Sequence, residues 1–483
     1  MNKKSALPYH KKLGIFALAL ILLKLALFPL VQEVDADAIS RIYLSLSFAE
    51  SPRIIQTGNW PPLFFYLMGG ALKLSENQFF TPVFVNIVLS ALLLFPLYSL
   101  FRRHFNEQIA FLLCIIFSFS PIVFRLSLLA MSEIPYLFFV VLSLNALSKS
   151  LVEKKVIWSL LAGLFMTVAG GIRYESWILG ALIACFLAYY KSPKEFLLFF
   201  ISFALFPVYW LISNFIHADD ALSSFMWAID LSESKSSLSF ESILRRIWWF
   251  PLSLMFAFGP VAFYFFIREL KHFQKDKIGR PVLIVFAVFL GIWIINALRG
   301  SLLLQHRFAV TLFLLSLPVI GYYFQRKSKR LETKTLIFAV SAFFLAYVYS
   351  SKGARPIPRL KNTDAEKISE QINANLNAKS GFICDFWNWQ TTYYLPFSTG
   401  LPRQQIRIIE DGQSLEIVEA KISSLIEKQP QGVILIGKDQ RMQTLVKTDN
   451  NEFTLNLSVS RIPLKPFYQN EDISCFSYVF DPE

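Results

Sequence analysis

The chain has 483 residues, 54% of them hydrophobic and 16% aromatic, with a mean hydropathy of +0.47 and only 17% charged. A soluble domain carries about a quarter charged residues, so an ordinary water-soluble protein is excluded. The net charge of +13 does not point to nucleic acid, because the basic residues are scattered over segments flanking apolar runs and do not gather on one soluble face.

Apolar runs of roughly 17–25 residues are long enough to cross a bilayer, and continuous runs select helices, which satisfy their own backbone groups in lipid. The fold class expected is a polytopic α-helical membrane protein with about eleven transmembrane helices. They are predicted at about 13–31, 80–101, 108–124, 134–148, 156–172, 177–190, 196–215, 248–267, 281–298, 308–325 and 335–350. The first run is 19 residues long and is interrupted by Lys24, which argues for a retained span over a cleaved signal peptide. Lys24 itself reads as a snorkelling or helix-facing residue without a functional role. PPLFFYLMGGALKL (61–74) is apolar but short, and is expected to lie at the interface instead of spanning.

Short cytoplasmic loops carry the excess of Lys and Arg. The segments FRRHFNEQ, SKSLVEKKV, KSPKE, RELKHFQKDKIGR and RKSKRLETK, with the N-terminal tail, hold 21 Lys and Arg, against 10 in the opposite set. This places the N-terminus in the cytoplasm and the C-terminal region outside it. Length and loop economy fit a bacterial inner membrane, with the endoplasmic reticulum as the other setting.

The chain divides by composition into a transmembrane part, 1–350, and a C-terminal part, 351–483. In the second part apolar runs shorten to strand length, in GFICDF, QIRIIE and GVILIG, with helix-like DAEKISEQINANLN and SLEIVEAKISSLIEK between them. Strands alternating with amphipathic helices predict a small α/β domain, entered through the linker KGARPIPR (352–359). Cys114 and Cys185 fall in spans and behave as small apolar residues. Cys384 and Cys475 lie in the outer domain, as either a disulfide or two buried thiols.

The candidate chemistry falls on the outer face. The first outer loop carries Asp35 and Asp37, followed by GNWPPLFFYL; the next carries Glu133 in LLAMSEIPY. Arg173 and Glu175 occupy the turn GGIRYESW, and Arg299, His306 and Arg307 precede the tenth span. Each has a bland account: a solvated helix end for the aspartates, a helix cap for Ser132 and Glu133, a local partner for Arg173 and Glu175, and headgroup anchoring for Arg299 and Arg307. Ionisable residues at the edge of hydrocarbon are nevertheless costly and mark sites. A sugar carried on an isoprenoid phosphate would need a carboxylate base for the acceptor and cations for the leaving phosphate. Asp35-x-Asp37 is also a donor pair for a hard divalent cation, which this chemistry does not require.

The ordered set DADAISRIYLSLSFAE, NWPPLFFYL, SEIPYLFF, GIRYESWIL and QHRFAVTLFLLSLP resembles the GT-C glycosyltransferases of the protein mannosyltransferase and aminoarabinose-transferase type (glycosyltransferase family 39-like), over roughly residues 13–325. The resemblance implies a polyprenyl-phosphate-linked sugar donor and transfer to a lipid, glycan or protein acceptor on the extracytoplasmic side. Asp37 or Asp35 would be the general base, Glu133 and Glu175 would orient substrate, and Arg173, His306 and Arg307 would hold the phosphate, with Arg307–Phe308 as the family's Arg-aromatic pair. Much of the family carries Asp-Glu with a Tyr four residues on; here Ala38 follows Asp37 and Arg41 stands four residues on. The rival readings are a polysaccharide polymerase or ligase and a transporter of an isoprenoid-linked glycan. A transporter would place its charges near the midplane on broken helices, often within internal repeats, and no repeat is seen.

Overall fold

In the computed structural model, residues 8–30, 36–50, 52, 60–75, 77, 80–189, 193–234, 239–275, 279–326, 334, 337–346, 365–386, 395–396, 398–409, 414–438, 440–449, 452–458 and 460–481 are described. Two compact units emerge. One comprises residues 1–31 and 44–353, the other residues 32–43 and 354–483.

The first unit is helical: α1 Tyr9–Leu27, the second half of α2 Ala36–Glu50, α3 Leu63–Leu74, α4 Phe80–Leu92, α5 Leu94–Arg102, α6 Glu107–Ser118, α7 Pro121–Leu126, α8 Glu133–Glu153, α9 Ile157–Gly170, α10 Glu175–Tyr189, α11 Pro193–Ala218, α12 Ser223–Ser234, α13 Phe240–Phe258, α14 Pro260–Phe273, α15 Gly279–Arg299 and α16 Ala309–Arg326, with α17 Ile337–Ala346. Among the described residues, five helices are long and apolar enough to span a membrane: Phe80–Arg102 (α4 and α5 taken together), α8, α11, α15 and His306–Arg326. The predicted span at 248–267 is not continuous. It breaks at Gly259 into α13 and α14, bent by 112°. The remaining predicted spans correspond to shorter helices or to α1, whose three lysines dilute its apolar character. The segment 61–74 forms the short apolar helix α3, Leu63–Leu74.

The break has a local cause. Gly259 has φ +72°, a conformation that L side chains adopt at a cost, and Pro260 opens α14, where its missing N–H is no loss. Ser120, in the gap between α6 and α7, donates its hydroxyl to the Ala257 carbonyl that the break leaves over. Elsewhere α9 and α11 approach closely at a glycine. A Cβ on Gly163 would meet Ser202 Oγ at 1.9 Å and the Phe199 carbonyl at 2.4 Å, the small-residue contact by which membrane helices pack.

Buried polar side chains tie the helices together. Lys24 is fully buried: its Nζ donates to Ser90 Oγ at 2.9 Å and lies 5.4 Å from the Phe124 ring. It faces the helix bundle and does not snorkel. Asn86 on α4 donates to the Leu129 and Met131 carbonyls at 2.6 and 2.8 Å, which fixes the turn that leads into α8.

The second unit holds a seven-stranded sheet in the order β2-β1-β3-β7-β6-β5-β4. The strands are β1 Gly381–Asp385, β2 Ile406–Ile408, β3 Gln431–Gly437, β4 Val446–Asp449, β5 Glu452–Asn456, β6 Arg461–Gln469 and β7 Ile473–Val479. β1 pairs parallel with β2 and β3, and the rest are antiparallel. Two apolar clusters cover the sheet. One contains Val418, Ile422, Leu425 and Ile426 of α19, Leu415–Ile426; the other contains Ile368 and Ile372 of α18, Ala365–Ala374. Cys384 and Cys475 both face Leu435 in the register, one on each side of β3. Strands ~4.8 Å apart put the two cysteines roughly twice that distance apart, too far for a disulfide, and both are free thiols. The linker 352–359 lies outside the described residues.

Candidate active site

Four charged side chains foreseen in the sequence converge at the ends of three helices. Glu133 opens α8 after the turn that Asn86 holds. Ser132, at the N-cap position, makes no capping bond with its side chain; its Oγ instead accepts from Arg173 Nη1 at 3.0 Å. Arg173 sits in the turn between α9 and α10. Its Nη1 donates to Glu133 Oε1 at 2.6 Å, and its Nε donates to Glu175 Oε1 at 2.9 Å, as does its Nη2. Residues two apart on a helix do not face each other. Here Arg173 precedes the helix, and that irregular turn is what lets it reach Glu175.

Arg307 joins from the start of the α16 segment, in the short 3-10 turn His306–Phe308. Its Nε lies 3.5 Å from Glu133 Oε1, and its Nη1 lies 3.8 Å from Met131 Sδ. The guanidinium groups of Arg173 and Arg307 lie 5.7 and 5.8 Å from the Phe308 ring centre, within cation–π range. Phe308 in turn stacks on Trp293 at 5.2 Å.

Burial sorts the roles. The Glu133 side chain is 1% exposed and that of Arg173 8%, whereas Arg307 is 15% exposed. Burial alone would lower the pKa of Arg173, but Glu133 and Glu175 outweigh it and hold the guanidinium above its ordinary range. Its neighbour Tyr174 is pushed up to about 12 by burial. Its hydroxyl accepts from Trp210 Nε1 at 3.0 Å. Arg173 is therefore a cation already committed to two carboxylates, and Arg307 is the more open of the two guanidiniums.

His306 takes a different environment. It stacks on Trp249 at 4.4 Å and 14°, and its Nδ1 is 2.8 Å from Ser253 Oγ. Arg299 is exposed at the end of α15. Asp37 belongs to the other unit: it lies in the first turn of α2, half-buried. The five residues after it, Ala38, Ile39, Ser40, Arg41 and Ile42, are all at most 5% exposed. Successive helical residues are about 100° apart, so five in a row leave no face open to water, and a freely solvated helix end does not describe this segment. Asp35 lies outside the described residues.

Sequence reading missed Arg246 and Trp293. Arg246 is 4% exposed and donates to the Ala297 carbonyl at 2.6 Å, tying α13 to the last turn of α15. Nothing in LRRIWW separates it from Arg245, which is exposed. Trp293 sits in an all-apolar run, where its role as the platform under Phe308 leaves no trace.

The family profile described as dolichyl-phosphate-mannose-protein mannosyltransferase matches residues 59–210, a stretch that contains Glu133, Arg173 and Glu175. No curated protein sequence matches significantly. Among solved structures, ArnT from Cupriavidus metallidurans bound to undecaprenyl phosphate aligns with TM-score 0.66 at 12% identity, over 98% of this chain and 99% of that one. The apo form of the same protein aligns with TM-score 0.65 at 13% identity, over 99% and 100%.

The chain has the GT-C fold.

The archaeal oligosaccharyltransferase AglB from Archaeoglobus fulgidus, in complex with an inhibitory peptide and a dolichol-phosphate, shares this GT-C fold more loosely. Its TM-score is 0.50 at 12% identity, over 87% of this chain and 69% of that one. The GT-C architecture fits the polytopic helical membrane part followed by a sheet domain. The buried Glu133–Arg173–Glu175 cluster is thus set within a recognisable scaffold.

Proposed function

We propose that the protein is an integral-membrane glycosyltransferase that moves a sugar from a polyprenyl-phosphate donor to a lipid, glycan or protein acceptor on the extracytoplasmic side. The observation that carries this reading is the whole-length likeness to an ArnT that binds undecaprenyl phosphate. The Lys and Arg bias of the loops supports a cytoplasmic N-terminus and an outer C-terminal domain, in a bacterial inner membrane.

In the reaction, an acceptor hydroxyl attacks the anomeric carbon as its proton passes to a carboxylate, Asp37 or Asp35. The bond from the anomeric carbon to the phosphate oxygen breaks, and polyprenyl phosphate leaves with the electron pair. A single displacement of this kind inverts the anomeric centre. Arg307, the more exposed guanidinium, meets the charge that grows on the phosphate, with His306 beside it in the chain. Glu133 and Glu175 act through Arg173, whose charge they already balance, so Arg173 shapes the site and does not bind phosphate directly. Among the described residues no three His, Cys, Asp or Glu side chains converge as metal ligands, and no step is assigned to a cation.

The test is sugar transfer from radiolabelled polyprenyl-phosphate sugars in membranes that contain the wild type, Asp35→Asn or Asp37→Asn. One substitution is expected to abolish turnover while protein level and donor binding persist. Unchanged turnover in both would remove the aspartates from the mechanism. Silence in all three proteins would favour a glycan transporter.

A further inference from the structure

The first half of α2, residues 36–43, belongs to the same compact unit as residues 354–483, more than 300 positions later. Tyr43 is the visible point of attachment. It packs against the apolar cluster formed by Ile368 and Ile372 of α18, Phe382 and Cys384 of β1, Val433 and Leu435 of β3, and Ile473 and Cys475 of β7. Tyr43 stands six residues after Asp37, about 9 Å along the helix axis at 1.5 Å per residue. The residues between them, Ala38–Ile42, are buried as well.

We infer that the C-terminal sheet domain is a positioning element for the catalytic acid: by seating Tyr43 it fixes the axial and rotational setting of residues 36–43, and with them the carboxylate of Asp37. Tyr43 is a positioning residue, since it acts through the helix and touches no reacting atom. The inference rests on the reading of Asp37 as the base. Misplacing a catalytic group by ~1 Å costs on the order of 100-fold in rate, so a loosened seat shows in kcat before it shows in binding.

The experiment uses the full-length protein in membranes, with Tyr43→Phe, Tyr43→Leu and Tyr43→Ala measured beside Asp37→Asn. Transfer kinetics are read against polyprenyl-phosphate sugar, and amide hydrogen exchange is read over residues 36–43. The expected result is a kcat that falls through the series, about tenfold or more for Ala, with the donor KM unchanged. Exchange over 36–43 is expected to quicken as kcat falls. Should the Ala variant fail to fold, the Leu variant carries the same comparison. A series with unchanged kcat, in which Asp37→Asn is inactive, overturns the inference and leaves the base assignment standing. Full activity in Asp37→Asn overturns the base assignment, and the inference with it. Equal losses in kcat, donor binding and folded yield would make Tyr43 structural only and would also overturn it.

Discussion

At the scale of single residues, the site is a balance of two guanidiniums and two carboxylates in which the members are not equivalent. Arg173 is the keystone, because both Glu133 and Glu175 depend on it. Removing one partner of a buried ion pair leaves an uncompensated charge, at a cost of about 3–5 kcal/mol. Arg173→Gln is therefore expected to lower the thermal midpoint of the detergent-solubilised protein markedly. Arg173→Lys should restore little, since an ammonium cannot reproduce the forked donation to two carboxylates. Arg307→Gln, which removes a longer and more exposed partner of Glu133, should lower the midpoint less and weaken donor binding, and equal midpoints for the Arg173 and Arg307 variants would refute the division of roles. The sequence showed which charges were unusual, because each sits at the mouth of an apolar run. It did not show which pair with each other: GIRYESW and SEIPY are some forty residues apart, and only folding makes Ser132, Glu133 and Arg173 neighbours.

At the scale of elements, the apolar runs were legible and their continuity was not. A run such as IWWFPLSLMFAFGPVAFYFF reads as one span, yet Gly259 and Pro260 turn it through 112°, held where Ser120 reaches the freed Ala257 carbonyl. Proline alone does not announce this, since Pro207, Pro251 and Pro318 all sit inside continuous helices. Close helix approach was equally hidden. Gly163→Ala should cost about 1–3 kcal/mol by overpacking α9 against α11, because one of the atoms in the way is the Phe199 backbone carbonyl, which cannot step aside. Gly291→Ala, where nothing lies within 4 Å, serves as the comparison, and matching thermal midpoints for the two would refute the packing argument.

At the scale of the whole molecule, three strands and two helices of the C-terminal domain could be read from sequence because they are buried on both faces or strongly amphipathic. The antiparallel strands β4 to β7 could not, since RIPLKPFYQ carries two prolines and ISCFSYV mixes polar and apolar positions. The same sheet settles the state of its cysteines. Burial pushes the Cys475 thiol up to about 12, and the Cys384 thiol is raised by the same cause. Because the thiolate is the nucleophile, a raised pKa means less reactive sulfur at any pH below it. Neither cysteine should be alkylated in the folded protein at pH 8 or 9, and both should be alkylated on unfolding without any reductant. Mass spectrometry of the modified peptides checks this, and a requirement for reductant would contradict the free thiols.

The modest length of α9 carries a consequence for the surrounding lipid. Its fourteen residues, Ile157–Gly170, rise about 21 Å, against a hydrocarbon layer of about 30 Å. Acyl chains beside such a helix must compress or tilt, at a cost of fractions of a kcal/mol per Å of mismatch. A thinner bilayer meets the protein with less elastic work than a thick one. Acyl-chain length thus becomes a physical variable of this protein's habitat, acting on where it resides as well as on how it is held.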